Sequence, residues 1–236
     1  MSIVIALSRE DFSVIATDSR IVPLNPMEKP VDYHSKLYSY DSLWLAGVGY
    51  GPLMTLLHSN LQSNQISEVD QIEPLFKMAC DYIRQNIPLE EQISFNETGM
   101  VYSLVYQNEG LLHTQINLLD QKKGSRPLPI NHVLIYPPTD SKGISGLIDS
   151  HLFTLAKIPS LDEVIYNIAL LIKEVSNSNS WVSNICDLGL LIKEQDNLIL
   201  KVNVRESADT IIQAHIDKTL RNYWKIIDTY DLRLPT

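Results

Sequence analysis

The chain has 236 residues, 44% of them hydrophobic and 20% charged, a balance that excludes intrinsic disorder and supplies a full core without disulfide or metal staples. A formal net charge of −9 excludes a nucleic-acid surface, which needs clustered Lys and Arg, and no apolar run reaches the length of a membrane span. Met1-Ser2-Ile3-Val4 carries no basic leader, and Cys80 and Cys186 lie singly in apolar runs, so the expected setting is a reducing cytoplasm. The histidines are scattered without metal-ligand spacing, and neither metal nor cofactor is expected.

Residues 2–8 and 12–17 read as strands, rich in β-branched side chains around the polar turn Arg9-Glu10-Asp11. Residues 35–40 and 43–48 form a second pair about Asp41-Ser42, and a Pro-containing loop over 22–33 joins the two hairpins. Helices follow over 53–61 and 73–85. The second has Pro74 in its first turn, where a missing N–H costs nothing, and Leu75, Met78, Ala79, Tyr82 and Ile83 at helical spacing. A hairpin over 101–106 and 111–116 turns at Asn108-Glu109-Gly110. The proline-rich stretch 122–138 reads as loop, with a short strand over 132–136.

Two more helices come next, the clearer one opening on the capping box Ser160 to Glu163, with Leu161, Ile165, Ile168, Ile172 and Val175 along one face. A last hairpin, 188–192 and 198–204, turns at Gln195-Asp196-Asn197, and a long amphipathic helix over 211–230 closes the chain. Hairpins imply antiparallel sheets, and helices arriving in pairs imply outer helical layers. The predicted fold is therefore α+β: a four-layer αββα sandwich in one domain, 1–236.

A turn centred on Glu10 sets Ser2 opposite Asp18, and a turn centred between Asp41 and Ser42 sets Lys36 opposite Gly47. Together they form a chemically meaningful set. Removal of Met1 leaves Ser2 with a free α-amine of pKa about 7.7–8.0, able to take the hydroxyl proton near neutrality. A Lys36 cation beside it lowers that pKa further, Asp18 holds the cation, and the Gly47 N–H donates to a developing oxyanion. Gly49-Tyr50-Gly51 lacks the Gly-Lys-Ser/Thr ending of a phosphate loop, and the spacing of Asp18 and Asp32 gives no metal or glycosidase pair.

The stretch Ile3 to Arg20, ending Ala16-Thr17-Asp18-Ser19-Arg20, resembles the opening of proteasome β subunits, where a nucleophilic Thr leads a strand and an Asp-Ser-Arg-like motif ends the next. Ser35-Lys36-Leu37 is similar to that family's lysine strand and Leu45-Ala46-Gly47 to its oxyanion strand. Length, the Cys186-Asp187-Leu188 strand start, the Trp224 helix and Pro235 resemble the bacterial ancestral-β (Anbu-type) branch of these N-terminal nucleophile hydrolases. Here Ser2 stands in place of Thr. Ser145-Gly146 matches a supporting serine turn, and Ser180-Trp181-Val182-Ser183 meets the late Asp-x-x-Ser motif with a hydroxyl for the carboxylate, Asn179 lying one residue earlier.

The resemblance implies a peptidase that works through an acyl-enzyme on Ser2 and acts on peptides or unfolded proteins. Alternatives on the same fold are a silent assembly subunit and an amidase or peptide ligase. It also implies a ring-like or open-helical homo-oligomer, a regulatory or ATPase partner, and an apolar specificity pocket lined by Ile21, His34, Leu45 and Gly49.

Overall fold

The computed structural model describes residues 3–20, 29, 31–32, 35–63, 69–138, 143–195 and 197–231. Strands β1 (Val4–Ser8), β2 (Phe12–Asp18), β3 (Leu37–Tyr40) and β4 (Leu43–Val48) open the chain. Helices α1 (Gly51–Ser63), α2 (Ile72–Arg84) and α3 (Gln92–Asn96) follow. Strands β5 (Gly99–Asn108), β6 (Leu111–Asp120), β7 (Gly124–Pro127) and β8 (Val133–Tyr136) return, then helices α4 (Ser145–Lys157) and α5 (Leu161–Ser178). The last elements are β9 (Ile185–Gln195), β10 (Leu198–Ser207), α6 (Ala208–Ile216) and β11 (Lys225–Asp231).

The strands make two antiparallel sheets, ordered β11-β10-β9-β2-β1-β8 and β3-β4-β5-β6-β7. Alternation along each strand divides the apolar side chains between two layers. Ile3, Ile5, Val14 and Ala16 pack against Ile148, Ile165, Ile168 and Ile211 of α4, α5 and α6. Leu43, Leu45, Met100 and Tyr102 pack beneath Leu53, Leu57, Phe76 and Ala79 of α1 and α2. Val4, Ala6, Ile15, Trp44, Ala46, Val101, Ile116 and Leu191 fill the space between the sheets. The result is the expected αββα sandwich. β2 is buried throughout because cores lie on both of its faces, Val14 and Ala16 packing on one and Ile15 on the other.

The first hairpin closes one residue differently from expectation. Val4 pairs with Thr17 and Ser8 with Ser13, and the Arg9 N–H donates to the Phe12 carbonyl at 2.8 Å. A two-residue turn, Glu10-Asp11, thus replaces a turn centred on Glu10, and the Arg9–Phe12 bond is what closes it. Extended past Val4, this register brings Ile3, not Ser2, opposite Asp18. The second hairpin has the expected register, with Leu37 paired to Ala46.

Three further expectations are corrected. The stretch 122–138 holds two strands, not one: Gly124–Pro127 pairs with β6 as an edge strand, where a terminal proline is tolerated. Ser160 occupies the N-cap of α5 with extended backbone, yet its side chain makes no capping bond; Asp162 and Glu163 in the first turn serve the helix dipole instead. The helix over 211–230 stops at Ile216, with Lys218 at φ 58° in the left-handed region that ends helices. Trp224 follows a 3₁₀ turn, and Lys225–Asp231, rich in Ile, Thr and Tyr, pairs with the open edge of β10.

Candidate active site

β2 delivers Asp18 to the end of the central sheet, where it is fully buried. Its Oδ1 accepts the Ile3 N–H at 3.2 Å, and Oδ2 accepts the Arg20 and Ser183 N–H groups at 2.9 and 3.3 Å. Lys36 Nζ, arriving from the start of β3 in the other sheet, lies 3.0 Å from both oxygens. A carboxylate accepts at about four lone-pair sites, so these donors saturate it. Charge-assisted bonds of this kind are the stronger ones. The carboxylate therefore fixes Ile3, the residue that follows Ser2, relative to the Lys36 ammonium.

The Lys36 side chain is 13% exposed. Burial pushes its pKa down, Arg20 adds to that, and the Asp18 and Asp32 carboxylates oppose it. Arg20 continues the network outward: Nε and Nη2 hold Asp32 in a two-pronged pair at 2.7 and 2.9 Å, and Nη1 donates to the Ser180 carbonyl at 2.7 Å. The guanidinium holds the Asp32 carboxyl below its usual pKa, mainly through that hydrogen bond.

Ser183 is buried and connected on every side. Its Oγ accepts the Ser19 and Ile185 N–H groups at 3.1 and 3.3 Å and shares a proton with Ser19 Oγ at 3.2 Å. Ser180 is exposed and contributes its carbonyl rather than its hydroxyl. Asn179 is buried and turned onto the Trp181 N–H at 2.9 Å.

The β3–β4 ladder ends at Leu37–Ala46, which sets Lys36 and Gly47 side by side just beyond it. Gly47 lies under the Met54 side chain of α1, which would have to move to admit a Cβ. Gly49 has φ 101°, and a Cβ there would stand 2.6 Å from the Thr98 Cα. Thr98 Oγ1 takes the Tyr50 N–H at 2.7 Å, so this close approach starts α1. Leu45 is 1% exposed and packs in the core beneath α1 and α2. Ser145 is the exposed first residue of α4, and among the described residues no hydrogen bond links it to Asp18.

The structure thus gathers Asp18, Lys36, Ser183 and the Ser180 carbonyl, with Gly47 adjoining. Ser2, Ile21 and His34 lie outside the described residues. Sequence reasoning missed Asp32 as the partner of Arg20, twelve positions away with no pattern to mark it. Among the described residues no group of His, Cys, Asp or Glu can hold a metal ion, and no helix is long and apolar enough to cross a membrane. A cavity of about 390 Å³ lined by Asp162, His215, Lys218 and Arg221, among others, contains none of the site residues.

No protein-family model matches the sequence, and no curated protein matches it. Solved structures do match, over nearly the whole chain. Anbu (ancestral beta-subunit) from Yersinia bercovieri is 13% identical with a TM-score of 0.63, covering 100% of this chain and 98% of its own. The helical assembly of the Anbu complex from Pseudomonas aeruginosa gives 14% identity and a TM-score of 0.64, with 99% and 97% covered. Anbu from Hyphomicrobium sp. strain MC1 gives 12% and 0.61, with 94% and 96% covered. The chain shares the fold of these Anbu (ancestral beta-subunit) structures.

Proposed function

We propose that the protein is a proteasome-like peptidase whose nucleophile is Ser2, freed by removal of Met1. The observation that carries this reading is the buried Asp18 carboxylate, which binds Lys36 Nζ through both oxygens and the Ile3 N–H through one. The α-amine of Ser2 takes the hydroxyl proton as the oxygen attacks a substrate carbonyl. The Gly47 N–H donates to the oxyanion, and the amine returns its proton to the leaving amine. Water then hydrolyses the acyl-enzyme by the reverse proton path. Lys36 acts through its field, keeping the neighbouring amine unprotonated near pH 7.

Ser2→Ala tests this. Hydrolysis of an apolar fluorogenic peptide should vanish while fold and assembly persist; a loss of less than about tenfold, roughly 1.4 kcal/mol of barrier, contradicts the assignment. An apolar pocket formed by Ile21, His34 and Gly49, without Leu45, which is buried in the core, would favour leucine before the cleaved bond over a charged residue, and highest turnover on arginine would contradict that pocket.

A second reading, an assembly subunit without turnover, draws on the exposed Ser180 standing where a carboxylate would complete the site. In both readings the chain forms a homo-oligomer. Of the two helices expected to meet neighbouring copies, 73–85 and 161–175, the contact surface falls to α2 and the segment after it, where Met78, Tyr82, Leu89 and Ile93 are exposed, because α5 is largely buried against the sheet. Light scattering at micromolar concentration checks this, and a strict monomer would count against it.

A further inference from the structure

β9 is apolar from Ile185 to Ile192 except at Asp187, which is 1% exposed and pairs across the ladder with Thr17, the residue before Asp18. A carboxylate in such a run needs partners. Oδ1 accepts from Asn203 Nδ2 at 3.0 Å, Oδ2 from Ser35 Oγ at 2.7 Å, and Arg205 is the cross-strand neighbour on β10. Ser35 directly precedes Lys36. Its hydroxyl also lies 2.7 Å from the Leu37 carbonyl, so one proton is shared between Asp187 and a backbone oxygen two residues on. That bond closes the chain around Lys36. Consecutive residues, Ser35 and Lys36, thus each reach a buried carboxylate, Asp187 and Asp18, on neighbouring paired strands. A lysine side chain has several free torsions and loses position easily; attaching its main chain at Ser35 leaves only the side chain to be ordered.

Resting on the peptidase reading of Ser2, we infer that Asp187 is a positioning residue that acts through Ser35 to hold the Lys36 ammonium between the two Asp18 oxygens. The test uses the full processed chain with Ser35→Ala, Ser35→Thr and Asp187→Asn. One readout is hydrolysis of an apolar fluorogenic peptide. The other, independent of activity, is the rate of Lys36 acetylation by acetic anhydride, followed by mass spectrometry with Lys201 as internal reference. Ser35→Ala should lower kcat by about tenfold with KM unchanged, and should speed Lys36 labelling by a similar factor relative to Lys201. Ser35→Thr, which keeps the hydroxyl, should restore both, and Asp187→Asn should fall between. Unchanged Lys36 labelling in Ser35→Ala overturns the inference. So does faster labelling of both lysines alike, which reports a loosened sandwich, and so does failure of Ser35→Thr to restore the wild-type rate. Faster Lys36 labelling in Ser35→Ala, with a wild type that hydrolyses nothing, keeps the positioning role and overturns the peptidase reading alone.

Discussion

Two lysines, one half-buried and one fully buried, hold the two ends of the same short strand, and they do so differently. Lys36 precedes β3 and binds a carboxylate, Asp18, at 3.0 Å. Lys201 reaches in from β10 to the far end, donating to the Asp41 and Tyr40 carbonyls at 2.6 and 3.3 Å with its ammonium 4.9 Å from the Trp44 ring centre. The Asp41 carbonyl also takes the Tyr230 hydroxyl at 2.6 Å. Burial lowers the pKa of both lysines, and for Lys201, where the Asp228 and Asp41 carboxylates offset it only in part, it reaches about 8. A carboxylate partner keeps a desolvated lysine charged, whereas carbonyls mainly orient it. Lys36 is therefore arranged to present charge beside a reactive group, and Lys201 to fix the geometry of a turn.

The contrast can be broken most easily by activity. Lys36→Met should lower kcat/KM by about a hundredfold or more, whereas Lys201→Met should leave it within about threefold of wild type; equal losses would remove the distinction. Stability gives the next effect. Asp18→Asn takes the countercharge from a buried lysine and turns an amide against backbone donors, so urea denaturation should show a loss of roughly 3–5 kcal/mol. Lys201→Met removes bonds to carbonyls, one of which keeps Tyr230, and should cost only about 1–2 kcal/mol. A larger loss in Lys201→Met than in Asp18→Asn would reverse the ranking.

The smallest effect sharpens the comparison by pH. The folded pKa of Lys201, about 8, lies below its ordinary 10.5. Between those values the unfolded chain binds more protons, so this group makes stability rise with pH. Its contribution is unfavourable below about pH 8 and disappears above 10.5. Subtracting the Lys201→Met stability curve from the wild-type curve should isolate a rising segment across that window. A flat difference would show that Lys201 titrates alike in both states.

Local pattern carried most of the fold into view. Hairpins with short turns are written in contiguous residues, so the Leu37–Ala46 register and the juxtaposition of Lys36 with Gly47 could be read directly. The first hairpin missed by one residue because Glu10 and Asp11 are both turn-compatible, and only the Arg9–Phe12 bond decides between closures. The segment after Ile216 misled because Ile226, Ile227 and Tyr230 suit a helix face as well as an edge strand. The vacant edge of β10, a tertiary fact, selected the strand. In the site, Asp18 and Ser183 were reached through the resemblance to proteasome β subunits. The Asp187–Ser35 and Lys201–Asp41 contacts span 152 and 160 residues and leave no local trace beyond a charged residue inside an apolar run.

The central claim is that the chain acts through Ser2 beside Lys36. Intact-protein mass spectrometry, before and after treatment with an apolar peptidyl β-lactone, addresses it most directly. The account predicts a protein lacking Met1 that gains a single acyl adduct, mapped by fragmentation to the Ser2 side chain and absent from Lys36→Met. A processed protein that gains no adduct, or one acylated at Ser183 or elsewhere instead, would contradict it.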